Sequence, residues 1–119
     1  MTADFEQRVL DHVRVNIGSA GIDKAIIYLD DSIVNAGEQL RFGDALIQMP
    51  WRGRVAFIDL EPGVNWGHSC AYLAIRHDGE DARWVAAGMP PFLKSGSAPF
   101  RLLRIGPQAP QWAVATDHG

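Results

Sequence analysis

Cysteine and long apolar segments are both scarce in this chain, and each shortage excludes a class of protein. Cys70 is the single cysteine among 119 residues, so an internal disulfide is excluded and a reducing compartment is favoured. No apolar run approaches the roughly 20 residues needed to cross a bilayer. Residues 1–6 are acidic and lack the apolar core of a signal peptide. We therefore expect a soluble, cytoplasmic protein with no membrane partner.

Basic runs and cofactor motifs are absent as well. The net charge is -3 and charged residues make up 21% of the chain. No stripe of Lys and Arg alternates with aromatic residues, so a nucleic-acid partner is not expected. The chain also has no phosphate-binding loop, and its histidines and single cysteine match no zinc-ligand spacing. We expect no cofactor and no metal.

Apolar sequence, by contrast, is sufficient for one core. The apolar fraction is 47%, which in a chain of this length supports a single compact domain over residues 1–119. No repeat and no long linker divides the chain. The tail of about 107–119 follows Gly-Pro and is expected to fray.

Two helices are predicted at the N-terminus. The first, residues 4–17, carries one apolar stripe at four-residue spacing: Phe5, Val9, Val13 and Ile17. Asp4 is placed to cap this helix and Gly18 to end it. The second, residues 23–35, has a strand-like composition but apolar residues at helical spacing: Ile22, Ile26, Leu29 and Ile33. We favour a helix there.

The remainder of the chain is punctuated by Gly and Pro, which predicts short strands. Five runs have strand character: residues 45–49, 54–60, 68–75, 82–87 and 100–105. Asp78-Gly79 joins two of them by a tight turn and makes them antiparallel. The predicted fold is α+β, with an N-terminal helical pair packed on a four- to five-stranded, mainly antiparallel sheet. The helix stripe should pack on the sheet face that contains Leu73 and Ile75.

Residues 59–72 contain most of the reactive side chains. Alternate residues of a strand share a face, so Trp66, His68, Cys70 and Tyr72 should lie on the side opposite Leu73 and Ile75. One hypothesis is a small hydrolase or transferase in which Cys70 is the nucleophile and His68 its base, supported by Asp59 or Glu61. The favoured interpretation is structural, with Cys70 buried, Asp59 and Asn65 bonding the loop backbone and Trp66 closing the core. No catalytic residue is therefore assigned.

One short pattern keeps the hydrolase alternative open. Residues 40–46, which include Gly43-Asp44, followed by Gly67-His68 and the apolar strand to Ile75, are similar to two strands of NlpC/P60-type cysteine peptidases. In that family the nucleophilic cysteine lies upstream, at the start of a helix. This chain has no cysteine upstream of His68, so the resemblance implies no catalytic role for that histidine.

Tryptophan and arginine on predicted connections point to protein binding. Both residue types are enriched among binding hot spots, and the candidates for partner contact are Trp51, Arg52, Arg54 and Trp112. The leading hypothesis is a small non-enzymatic protein-interaction domain, of immunity, adaptor or inhibitor type, that binds a protein partner through a sheet face or through these residues. A third hypothesis is a small-ligand site lined by tryptophans. Homo-oligomerisation stays open.

Overall fold

The protein is described by a computed structural model over residues 2–64, 67–91 and 99–114. The chain forms α1 (Thr2–Lys24), β1 (Ile26–Val34), β2 (Gln39–Phe42), β3 (Ala45–Gln48), β4 (Gly53–Asp59), β5 (Cys70–Arg76), β6 (Ala82–Ala87), β7 (Phe100–Ile105) and a 3-10 turn (Gln111–Ala113). Five strands build an antiparallel sheet in the order β6-β5-β4-β1-β7, and β2 and β3 pair as a separate hairpin. The predicted α+β class is confirmed.

The predicted helical pair is wrong, because the described residues contain one α-helix. α1 continues past Gly18, where the backbone leaves helical geometry with φ 77° and ψ 172° and then re-enters it up to Lys24. Gly18 therefore stops the first helical segment, as predicted, and a second short segment continues α1 to Lys24. Asp4 lies inside the first turn of α1 instead of capping it, where its charge still favours the helix dipole.

The second predicted helix is strand β1. Its first residues, from Ile26 through Asp30, are buried in succession, which is the pattern of a strand covered on both faces. β1 pairs with β4 on one side and β7 on the other, so it lies inside the sheet. The apparent helical spacing arose because residues 25–29 are all apolar, so this part of the segment fits a helical spacing as readily as a buried strand.

One core lies between α1 and the sheet. It contains Val9 and Val13 from the helix and Leu73 and Ile75 from β5, all 0% exposed, with Phe5 at its edge. The predicted packing of the helix stripe on this sheet face is confirmed. Polar contacts hold the helix in place: His12 Nε2 lies 2.9 Å from the carbonyl oxygen of Gly79, and Arg8 pairs with Glu80.

A second core lies on the opposite sheet face, under the β2–β3 hairpin and the segment after β7. It is rich in rings that contact each other: Tyr28, Phe42, Phe57, Tyr72 and Phe100. Ala109, Ala113 and Val114 pack against its rim. Both faces of the sheet are therefore covered by packed residues.

None of the helices in the described ranges is both long enough and apolar enough to span a membrane.

Candidate functional site

Asp59 and His68 form a buried pair at the end of β4. Asp59 is the last residue of β4 and the cross-strand partner of Cys70, the first residue of β5. His68 lies just before that strand, and its Nε2 is 2.8 Å from Asp59 Oδ1. The side chains are 4% and 5% exposed for His68 and Asp59, respectively. The antiparallel pairing of β4 and β5 thus brings His68, at the end of the loop, next to Asp59, at its start.

Burial has the largest effect on the pKa of the Asp59 carboxyl group. Desolvation raises the pKa of Asp59 above its usual range, and the hydrogen bond from His68 and the Glu61 backbone N–H oppose that rise. The Glu61 N–H donates to Asp59 Oδ1 at 3.1 Å. A carboxylate in this position orients the imidazole ring and fixes the start of the turn.

Glu61 fastens the other side of the same loop. Its Oε1 accepts a hydrogen bond of 2.8 Å from the backbone N–H of Ser69. Asp59 and Glu61 thus hold two different points of the loop, because each accepts a hydrogen bond from a different backbone N–H group. This agrees with the structural interpretation of Asp59. Asn65, predicted to bond the loop backbone, and Trp66, predicted to close the core, lie outside the described residues.

Cys70 lies in the core beneath the ring cluster. It is 1% exposed, and its Sγ–H donates to the carbonyl oxygen of Met89 at 3.5 Å. The Tyr72 hydroxyl donates to the same oxygen at 2.9 Å. Burial, with smaller contributions from Asp44 and Asp59, raises the pKa of Cys70 to about 12, so the reactive thiolate is strongly disfavoured near neutral pH.

Asp44 is a residue that sequence reasoning missed. It lies in the turn between β2 and β3 and accepts hydrogen bonds from the backbone N–H groups of Gly88 and Met89, each at 3.2 Å. Gly43 beside it has φ 55°, and a Cβ there would lie 2.7 Å from the Met89 carbonyl oxygen. Gly43-Asp44, the pair that is similar to a peptidase strand, thus docks a hairpin turn against the chain after β6.

The predicted partner-binding residues are separated by the sheet. Trp51 packs against the ring-rich core, whereas the Arg54 guanidinium lies over the Phe5 ring, 4.6 Å from its centroid, on the helix side. Arg54 is in β4 and not on a connection. Arg52 is exposed between them.

Trp112 lies at the opposite end of β4 from Trp51. A Cβ on Gly63, in the turn after β4, would be 2.9 Å from Trp112 Cη2, so the indole covers this glycine. β4 has seven residues and is about 20 Å long at roughly 3.3 Å per residue, and it lies between the segment that carries Trp51 and the turn that Trp112 covers. Trp51, Arg52, Arg54 and Trp112 therefore do not form one patch.

The exposed residues Gly63, Val64 and Trp112, together with the half-buried Pro110, form what we call the Trp112 surface. Trp112 is 78% exposed and Val64 53%. The Pro110 ring also approaches Gly63, with its Cγ at 3.4 Å from the position of a Cβ there. No sequence pattern linked Val64 to Trp112, because the two residues lie far apart in the chain.

The tryptophans among the described residues do not line a common pocket. Trp84 packs on the helix side and Trp51 on the hairpin side, while Trp112 faces outward. A shallow depression on α1 is lined by polar side chains: Asp4, Gln7, Arg8 and Asp11. Within residues 2–64, 67–91 and 99–114, no group of three or more His, Cys, Asp or Glu is arranged to hold a metal ion.

No protein-family model matches the chain, and searches of the curated proteins and of the solved structures found no similar protein.

Proposed function

We propose that this chain is a small, non-enzymatic protein-interaction domain whose partner docks on the Trp112 surface. The observation that carries the proposal is the 78% exposure of Trp112 on a segment that is itself anchored. Large aromatic side chains gain much from burial, and tryptophan is the residue most enriched at binding hot spots.

The anchoring of the segment supports this role. Ala113 and Val114, directly after the tryptophan, pack against the ring-rich core. Upstream, the Gln108 N–H donates to the carbonyl oxygen of Asp23 at 2.8 Å. The indole is thus presented from a fixed backbone, and a partner that binds it pays little ordering entropy. Val64 extends the apolar area beside it.

A protein partner with an apolar pocket and a polar rim fits this surface. Arg52 and Arg54 lie elsewhere, so the acidic partner surface suggested by an aromatic-basic patch is not required. Both faces of the sheet are covered, so docking through a sheet face has less support than docking through the Trp112 surface.

The experiment is a binding comparison with matched variants. A partner captured by the tagged protein and identified by mass spectrometry is purified and titrated against the parent, Trp112→Ala and Val15→Ala. Val15 is 84% exposed on α1 and serves as the control. Trp112→Ala should weaken binding by about 2 kcal/mol or more, as for a central hot-spot residue, with the melting temperature unchanged. Equal affinity of Trp112→Ala and the parent would place the interface elsewhere.

The cysteine hydrolase alternative is distinguished by thiol reactivity. The Asp59–His68 pair beside Cys70 is the observation in its favour, and the burial of the thiol is the observation against it. With a pKa of about 12, Cys70 should resist iodoacetamide in the folded protein at mildly alkaline pH and react once the chain is unfolded in denaturant. A free Cys model peptide with a pKa of about 8.5 is the reference. Alkylation of folded protein at the peptide's rate would favour catalysis.

A further inference from the structure

We propose that two copies of this chain associate through the outer edge of β6, which extends the sheet across a two-fold axis. An edge strand offers unpaired backbone donors and acceptors to any other strand. The sheet has two edges, β6 and β7, and they differ sharply in how they are protected.

The β7 edge carries features that block pairing. Its register with β1 shifts between Ile27 and Tyr28, which leaves Leu103 as an extra residue in a bulge, and bulges disrupt further pairing. Two arginines also lie along it. Arg101 pairs with Glu6 and Asp31, and Arg104 donates to the Ile22 carbonyl oxygen at 2.8 Å.

The β6 edge lacks such protection. Six consecutive pairs join it to β5 without a register shift, from Cys70 opposite Ala87 to Ile75 opposite Ala82. It contains no proline, and Arg83 is its single charged residue. In the part of the chain that the structure describes, no strand pairs with its outer side.

The sequence of β6 is compatible with its own two-fold copy. If the two-fold axis is perpendicular to the sheet, equivalent side chains of the two copies lie on the same sheet face. In the antiparallel pair one residue must then lie opposite its own symmetry mate, and that residue is the centre of the register. Centring on Trp84 places Trp84 opposite its symmetry mate, Arg83 opposite Val85, and Ala82 opposite Ala86. No like charges then face each other, and small alanines flank the two indoles, which gain from pairing.

The β2–β3 turn favours the register centred on Trp84 over a register shifted towards Ala87. Asp44 holds Gly88 and Met89 at the end of β6, so a register shifted towards Ala87 would bring the second strand against that turn. Within the described residues, β6 is the unprotected edge of the five-stranded sheet, and pairing across the two-fold axis occupies that edge in both copies. The product is a closed dimer and not a growing filament.

The test is the mass in solution by size exclusion with light scattering across a concentration series. The parent should reach twice the chain mass of 13.1 kDa. Ala86→Lys places a charge at an exposed edge position, and it should raise the dimer dissociation constant about tenfold or more. Leu102→Lys, at a residue 40% exposed on β7, is the matched control and should leave the dimer unchanged.

A disulfide experiment fixes the register and does not depend on the lysine variant folding. The double variant Ala82→Cys with Ala86→Cys should form a covalent dimer on oxidation, because each new cysteine faces the other across the axis. Each single variant should stay largely uncross-linked. A parent that is monomeric at all concentrations, a dimer indifferent to Ala86→Lys, or cross-linking by the single variants equal to that of the double variant would overturn the proposal.

Discussion

At Asp59, burial and hydrogen bonding act on one carboxyl group in opposite directions. Desolvation is the larger effect and raises its pKa. The folded protein therefore keeps the Asp59 proton to higher pH than the unfolded chain does. The ionised carboxylate lowers stability above the folded pKa, and this loss is relieved as the pH falls through that pKa.

We expect Asp59→Asn, which cannot ionise, to reveal this dependence. The unfolding free energy of the parent minus that of the variant should increase when the pH falls from about 7 to about 4. Denaturant titrations at several pH values measure it. Asp78 is the matched control of opposite sign, because the backbone N–H of Glu80 lowers its pKa. The parent should lose stability relative to Asp78→Asn once the pH falls below about 4, so the titrations extend to about pH 2, and a shared sign for both variants would contradict the assignment.

At the scale of single elements, α1 depends on a backbone geometry that glycine adopts readily. Gly18 has φ 77° and ψ 172° in the middle of the helix, and no other side chain or backbone atom lies within 4 Å of the position of a Cβ there. Any cost of substitution must therefore come from the backbone alone. The break lets the helix change direction while Val13 and Ile22 both stay buried in one core.

Gly18→Ala should destabilise the protein by about 1–2 kcal/mol, since a side chain is strained at this backbone conformation. Ser19→Ala, at the exposed neighbouring position, should change stability by less than about 0.5 kcal/mol. Thermal and denaturant midpoints of the two variants give the comparison. Equal midpoints for Gly18→Ala and the parent would show that alanine causes no strain at position 18 and would contradict the prediction.

At the scale of the whole molecule, the two cores lie on opposite faces of the same five-stranded sheet. Phe57 in β4 packs on the hairpin side, and its neighbours Ala56 and Ile58 pack on the helix side. Loosening either core should therefore affect the strands that the other core requires. We expect the two layers to unfold in one cooperative transition, as small domains generally do.

Ile47→Ala tests this cooperativity from the hairpin. Ile47 is 2% exposed, so truncation should cost about 2–5 kcal/mol. Far-UV circular dichroism, which reports on α1, should shift its midpoint together with tryptophan fluorescence. Leu46→Ala, at the adjacent residue with 53% exposure, is the control and should have little effect. A helix signal that stays at the parent midpoint would indicate that the two layers unfold separately.

The sequence by itself determined the features that depend on local pattern. The four-residue spacing of Phe5, Val9 and Val13 defined the buried stripe of α1, and Gly and Pro marked most strand boundaries closely. Alternation along β5 correctly separated Cys70 and Tyr72 from Leu73 and Ile75. Each of these signals is carried by residues that are near one another in the chain, and the physics of helix and strand periodicity is enough to interpret them.

Tertiary structure decided what depends on partners distant in sequence. A continuous apolar run such as the start of β1 fits a buried helix or a central strand equally well, and only pairing with β4 and β7 settled it. The same holds for Trp51 and Arg54, which pack on opposite sides of the sheet, and for Trp112, which lies against the turn after β4. Burial of Cys70 and the pairing of Asp59 with His68 likewise follow from which strands meet, because desolvation and hydrogen bonding depend on neighbours in space.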